Sequence, residues 1–215
     1  MINRIKPRNL LPFLIVLCLV SCAKVYYSED ARYLAHIQHT IAILPPTVSI
    51  SASKKVEAEA LKEQQRTESY NFQQEIYAWL LKRKMKRQII QEIQDVEKTN
   101  ILLKRAGYPD SLLTKGEICQ LLGVDGIISS NFALSKPLSQ GAAIATAVLF
   151  GVSGSTNEVR VSMSIHDCSK TKLIWKFDHQ FSGGLGSSPS RLVDNLMAMA
   201  SKSMPYTKNY NRNGF

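Results

Sequence analysis

Along the chain, stretches whose apolar residues recur at strand spacing alternate with stretches where they recur at helix spacing. "TIAILPP" carries Ile41 and Ile43 in an uncharged run closed by Pro45 and Pro46. A run apolar at nearly every position suits a central strand covered on both faces. From about Ser53 to Arg87 there is no glycine, and Tyr70, Phe72, Ile76, Trp79 and Leu80 recur near the helical period. Glu57, Glu59 and Glu63 come early in this stretch and Lys82, Arg83, Lys84, Lys86 and Arg87 late, the order that complements a helix dipole. One long amphipathic helix is predicted. "QIIQEIQD" reads as a short strand, and Asp95 as the cap of a helix that runs through Arg105 and ends at Gly107, with Pro109 close behind. Thr114 with Glu117 three residues later forms a capping-box pattern for a helix that stops at Gly123. "VDGIISSNF" then predicts a second buried strand over about Val124 to Phe132.

The C-terminal half changes period. Val159, Val161, Met163 and Ile165 alternate with Arg160, Ser162, Ser164 and His166, and after a polar turn Leu173, Trp175, Phe177 and Phe181 repeat the pattern. Two strands with one apolar face each and a short turn between them predict an antiparallel hairpin. Ser188 and Pro189 then start a helix whose stripe is Leu192, Val193, Leu196, Met199 and Ala200, with Pro205 as its stop. The fold class expected is α/β (α+β): a mixed sheet of about five strands with a long N-terminal helix, a C-terminal hairpin and a closing helix. Residues 39–204 form the single domain, and 205–215 a polar, disordered tail.

The first residues change the picture. Arg4, Lys6 and Arg8 precede the apolar run Leu10–Val20, closed by Ser21. At 1.5 Å per residue that run gives roughly 16 Å, short of a hydrocarbon core of about 30 Å. A basic lead, a short apolar core and a small residue build a signal peptide over residues 1–21. Leu19-Val20-Ser21-Cys22 resembles the bacterial lipobox. The resemblance implies cleavage between Ser21 and Cys22, a covalent lipid on Cys22 and no other cofactor. Lys24, in place of the Asp that marks inner-membrane retention in lipoproteins of this type, implies transfer to the outer membrane. Residues 22–38 are then expected to be a polar tether between lipid and domain.

The formal net charge is +10. Loss of residues 1–21 removes three of the 27 basic residues and none of the 17 acidic ones, leaving +7. Such a balance suits anionic partners such as headgroups or cell-wall polymer, and nucleic acid is not a partner expected of an exported lipoprotein. "KRKMKR", residues 82–87, reads chiefly as a solvated helix end. With Cys18 in the leader and Cys22 lipidated, Cys119 and Cys168 remain. An oxidising compartment permits a bridge between them, but spacing does not give geometry, and two unpaired, partly buried thiols are the blander expectation.

Residues 137–157 contain no charge, and "GAAIATAVLFGVSG" within them is small and apolar. As a helix it groups Ile144, Val148, Leu149 and Val152; as a strand it groups Ile144, Thr146, Val148 and Phe150. Period does not choose. A cover packed on the sheet, an exposed patch for self-association or partner binding, and insertion of residues 139–154 into lipid all stay open.

No nucleophile elbow, metal-spaced His/Cys cluster, phosphate loop or paired-carboxylate signature occurs in the sequence, so neither catalytic residues nor metal ligands are assigned. His36 and His39 read as surface residues and His179 as a core or edge histidine; "SGGLGSSPS" before a helix is a weak anion-binding pattern. Taken together, the lipobox at Cys22, "IAILPP" before a long helix, the "LGVDGIISS" unit and the hairpin "IHDCSKTKLIWKF", in which Asp167 precedes the turn and Trp175 follows it, resemble the curli-secretion-channel (CsgG-type) lipoproteins and the N-terminal domain of the TolB family. The resemblance implies a non-enzymatic, lipid-anchored outer-membrane protein facing the periplasm. Its partners would be the membrane, other envelope proteins and copies of itself, in transport or envelope biogenesis. The alternative it implies is an oligomeric export pore, although the chain offers one ambiguous segment where the curli channel has two membrane hairpins.

Overall fold

In the computed structural model, residues 23–51, 57–135, 158–182 and 188–207 are described. Ser21, Cys22 and Ile144, Val148, Leu149 and Phe150 lie outside them. The strands are β1 (Lys24–Tyr27), β2 (Thr40–Ile43), β3 (Thr47–Ile50), β4 (Glu92–Ile93), β5 (Gly126–Leu134), β6 (Glu158–Asp167) and β7 (Lys172–Ser182). The helices are α1 (Ala31–Ile37), α2 (Ala58–Met85), α3 (Val96–Arg105), α4 (Lys115–Leu122) and α5 (Pro189–Ala200). The mixed α+β class and the hairpin stand as expected, but the sheet has seven strands rather than about five, in the order β1-β7-β6-β5-β2-β4 with β3 also paired to β5.

One of the two strands not expected from the sequence, β3, continues β2 along β5. β2 and β3 both run parallel to β5, with Ile41 opposite Gly126 and Thr47 opposite Asn131. Six steps on one side thus face five on the other. The extra residue falls at Pro45-Pro46, which lack the N–H groups a ladder needs. Leu44 N still donates to Ile128 O at 2.9 Å, and the ladder resumes beyond the prolines.

Two core layers follow from the alternation. Ile41, Ile43, Ile128, Phe132, Met163 and Trp175 pack with Leu34 of α1, Phe72, Ile76 and Leu80 of α2, and Leu192 and Leu196 of α5. Phe72 and Phe132 stack with centroids 4.1 Å apart. On the other face Ala42, Leu44 and Ile127 meet Leu103 of α3 and Ile118 and Leu122 of α4. The predicted caps are in place: Asp95 Oδ1 accepts from Glu97 N and Lys98 N, Thr114 and Glu117 form the reciprocal box, and Gly123 takes the left-handed turn at φ 62°. At the β6/β7 pair a bulge between Ile165 and His166 shifts the alternation, so that Ile174 is buried beside Trp175 while Leu173 is only half-buried.

Two boundaries are corrected. Residues 24–37, expected to belong to a tether, are β1 and α1: β1 pairs antiparallel with β7, Lys24 opposite Asp178 and Tyr27 opposite Trp175, and Ala31, Leu34 and Ala35 are core residues. The closing helix ends at Ala200, not Pro205, and the chain stays inside the domain through Tyr206 and Thr207, which are 4% and 6% exposed. Residues 205–207, expected to belong to the tail, are therefore part of the domain.

Candidate functional site

β5 explains why, among the described residues, one surface of the sheet is open. Gly126, Ile127 and Ile128 are all buried, because helices cover both faces there; from Ser129 onward burial alternates, because α3 and α4 reach no further. The uncovered face carries Asn131 and Ala133 of β5, Arg160 and Ser162 of β6, and Asp178 and Gln180 of β7. Thr47 and Ser49 of β3 and Lys24 of β1 complete a shallow cavity of about 500 Å³. Its charges are partly matched: Arg160 reaches Glu158 at 2.8 Å and Lys176 reaches Asp178 at 3.0 Å. Exposed pairs of this kind are worth about 0–1 kcal/mol, so they rearrange readily around a ligand. Ser129 Oγ and Ser164 Oγ lie 3.0 Å apart. The surface offers hydroxyls, amides and cations, groups that bind polar partners.

A polar junction, buried at Gln38, Asp167 and Tyr206 and exposed at Asp125, sits at the opposite end of β5. Asp125 Oδ2 accepts from His39 N and Thr40 N, both at 2.8 Å, fixing the start of β2. Gln38 Nε2 donates to Asp167 Oδ1 at 2.7 Å, and the Tyr206 hydroxyl donates to Gln38 Oε1. The other Asp167 oxygen accepts from Ser169 Oγ at 2.7 Å and Lys170 N at 2.8 Å, shaping the hairpin turn. Burial first, then the Asp167 and Asp125 charges, push the Tyr206 hydroxyl well above its ordinary value. Asp125 and Asp167, which stand in "LGVDGIISS" and "IHDCSKTKLIWKF", thus act structurally: they hold the helix α1 exit, the hairpin turn and the C-terminal Tyr206 together.

Cys119 of α4 and Cys168, after β6, form a disulfide with Cα atoms 5.5 Å apart. The expectation of two unpaired thiols is corrected, since the register of β6 brings Cys168 to the packed face of α4. His36 and His39 are exposed, while His179 is half-buried with its ring edge-on to Phe181 at 4.5 Å. Within "KRKMKR", Lys84 binds Glu92 at 2.7 Å and Arg83 stacks over Trp79 at 4.5 Å, leaving Lys82, Lys86 and Arg87 exposed. In "SGGLGSSPS", Ser188 Oγ accepts from Arg191 N as the α5 cap; residues 183–187 lie outside the described residues. Among the described residues no three His, Cys, Asp or Glu side chains are grouped to hold a metal ion, and no helix is long and apolar enough to cross a membrane.

Acid is expected to loosen the domain in two stages. Burial lowers the His166 imidazole below its usual 6.5, helped by the Lys115 charge, and burial alone lowers His179. A depressed pKa contributes stability that is complete above about pH 6.5 and is lost as pH falls through the folded value. The Asp30 carboxyl is held far below its ordinary 3.8, first by Lys172, then by Ser28 and Lys170. Its contribution persists down to about pH 4 and is lost below that. Urea midpoints should therefore fall from about pH 6.5 downward and again below about pH 4. The double variant His166→Gln/His179→Gln should flatten the first fall and leave the second.

No protein-family model matches the chain, and no curated protein matches it. Among solved structures it is similar to a PelC L103M dodecamer from Paraburkholderia phytofirmans (11% identity, 86% of this chain and 98% of that one, TM-score 0.41). It is also similar to lipoprotein GNA1162 from Neisseria meningitidis (12% identity, 77% of this chain and 97% of that one, TM-score 0.44). A third is the LpoB C-terminal domain from Salmonella enterica (11% identity, 66% and 82%, TM-score 0.33). Likeness at these values assigns neither a family nor a role.

Proposed function

We propose that the chain is a lipid-anchored, non-catalytic accessory protein of the bacterial cell envelope. It is held in the outer membrane by acyl chains on Cys22, with its α/β domain in the periplasm, and acts through protein contacts in transport or envelope biogenesis. The observation that carries this reading is Leu19-Val20-Ser21-Cys22, which follows a short basic-then-apolar leader and comes immediately before a folded domain. Several acyl chains, at about 0.8 kcal/mol per buried CH₂, hold a protein on a membrane durably. The open polar face supports a binding role, because its donors and acceptors suit a polar partner surface. The test is replacement of the anchor. Cys22→Ser should abolish incorporation of labelled palmitate and move the protein from the outer-membrane to the soluble fraction; a variant that stays with the membrane defeats the proposal.

A second reading, an oligomeric export pore in which residues 139–154 enter the membrane, draws on one observation. Ser135 N donates to Glu158 O and Glu158 N to Ser135 Oγ, both at 3.0 Å, so the two flanks of the uncharged stretch are joined at the end of the sheet where β5 finishes and β6 starts. Size exclusion of the detergent-extracted protein separates the readings: a large ring favours the pore, a monomer or dimer ends it.

A further inference from the structure

The position of β1 fixes more than an edge strand. Lys24 is paired with Asp178 of β7, Tyr27 Oη donates to Ser203 O at 2.6 Å, Ser28 N donates to Ile174 O at 3.0 Å, and Ala23 itself packs against the core. One residue separates Lys24 from Cys22. With consecutive Cα atoms 3.8 Å apart, a lipid attached two residues before Lys24 has at most about 7 Å of chain between it and the sheet, whereas a free stretch of residues 23–38 would reach about 50 Å.

Strand direction then gives the domain an up and a down. β1 starts in the half of the sheet where β3, β5 and β7 finish and β6 starts: Lys24 lies opposite Asp178, four residues short of Ser182, which pairs with Glu158, and Ile50 lies opposite Leu134. α2 follows β3 and returns along the core, so its last residues lie at the other end; its 28 residues span about 42 Å at 1.5 Å per residue. The exposed cations Lys82, Lys86 and Arg87 are thus carried far from Cys22.

Resting on the reading of Cys22 as lipidated, we propose that the domain stands end-on against the bilayer that holds its anchor. The end bearing Lys24, Gln180 and Ser49 touches the headgroups, and the basic end of α2 points away from them. Because those three residues also line the open polar face, a protein that docks on that face meets it at the membrane surface. The Lys82/Lys86/Arg87 cluster cannot serve the anchoring leaflet.

The test uses lipidated full-length protein in vesicles of phosphatidylethanolamine and phosphatidylglycerol containing a headgroup-quencher lipid, with single fluorophores placed at Gln180→Cys, Ser49→Cys or Lys86→Cys. Cys119 and Cys168 are bridged and do not react with the label. Protein that floats with the vesicles should lose most of its fluorescence at positions 180 and 49 and almost none at 86. A spacer of about 15 Gly/Ser residues, a flexible coil, inserted between Ala23 and Lys24 should keep flotation and abolish the difference. Floating protein with equal quenching at the two ends, or with the order reversed, overturns the end-on placement while leaving the anchor intact. Protein that does not float, with an N-terminal peptide of unlipidated mass, overturns both.

Discussion

Gly126→Ala is expected to lower the unfolding free energy by about 2–4 kcal/mol, through overpacking and a stranded buried polar group. A Cβ at this position would lie 2.4 Å from Gln38 Oε1 and 2.7 Å from the Tyr206 hydroxyl, distances at which something must move. What moves is the Gln38–Tyr206 pair, of which Gln38 is a donor to Asp167, itself 1% exposed. If Gln38 withdraws, Asp167 Oδ1 loses its 2.7 Å donor in a place water does not reach freely, and leaving a buried acceptor unpaired costs about 1–3 kcal/mol on top of the steric term. For a domain of this size the melting temperature should fall by about 5–15 °C. The mechanism makes a sharper statement than the size of the drop: Gln38→Ala and Gly126→Ala should be strongly non-additive, because truncating Gln38 removes the nearest obstacle to the new methyl. A Gly126→Ala protein that melts with its parent, or a cycle that is simply additive, refutes the account.

Opening the disulfide should have an effect of similar size. Cys119 and Cys168 are 49 residues apart, and a cross-link over such a loop stabilises by about 2–4 kcal/mol, chiefly by restricting the unfolded chain. The location adds to the expectation. The layer under α3 and α4 is the smaller of the two cores, built on Ala42, Leu44, Leu103, Ile118, Leu122, Val124 and Ile127, and the bridge joins α4 of that layer to the hairpin turn. Reduction, or Cys119→Ala with Cys168→Ala, should lower the melting temperature by about 5–15 °C. Hydrogen exchange should rise first in α3 and α4 while α2 and α5 stay protected. Coincident loss of protection in both layers contradicts this picture.

What could be read in the sequence depended on how far a residue's partners lie along the chain. α2, α3, α4, the hairpin and the buried strands announce themselves through caps, periods and turns that are complete within some ten to thirty residues. β1 was missed because Lys24, Val25 and Tyr26 are exposed on an edge and show no apolar alternation, and α1 because only Ala31, Leu34 and Ala35 mark its inner face. β3 does alternate, with Val48 and Ile50 buried, but two prolines part it from β2. The burial of Tyr206 and the demand for glycine at 126 were invisible, and the Cys119–Cys168 bridge legible only as a possibility, for the same reason: each is imposed by a residue 49 to 168 positions away. Of the candidate site, the polar half of each strand was legible on β6 and β7, whereas the cavity also needs β1 and β3, which were not.

The outermost strand has a further consequence, one of timing. Residues 24–27 precede their ladder partners, Trp175 to Asp178, by about 150 residues. Pairings of such separation close slowly. Until synthesis is nearly complete β1 lacks its partner strand β7, and its ladder N–H and C=O groups stay unpaired.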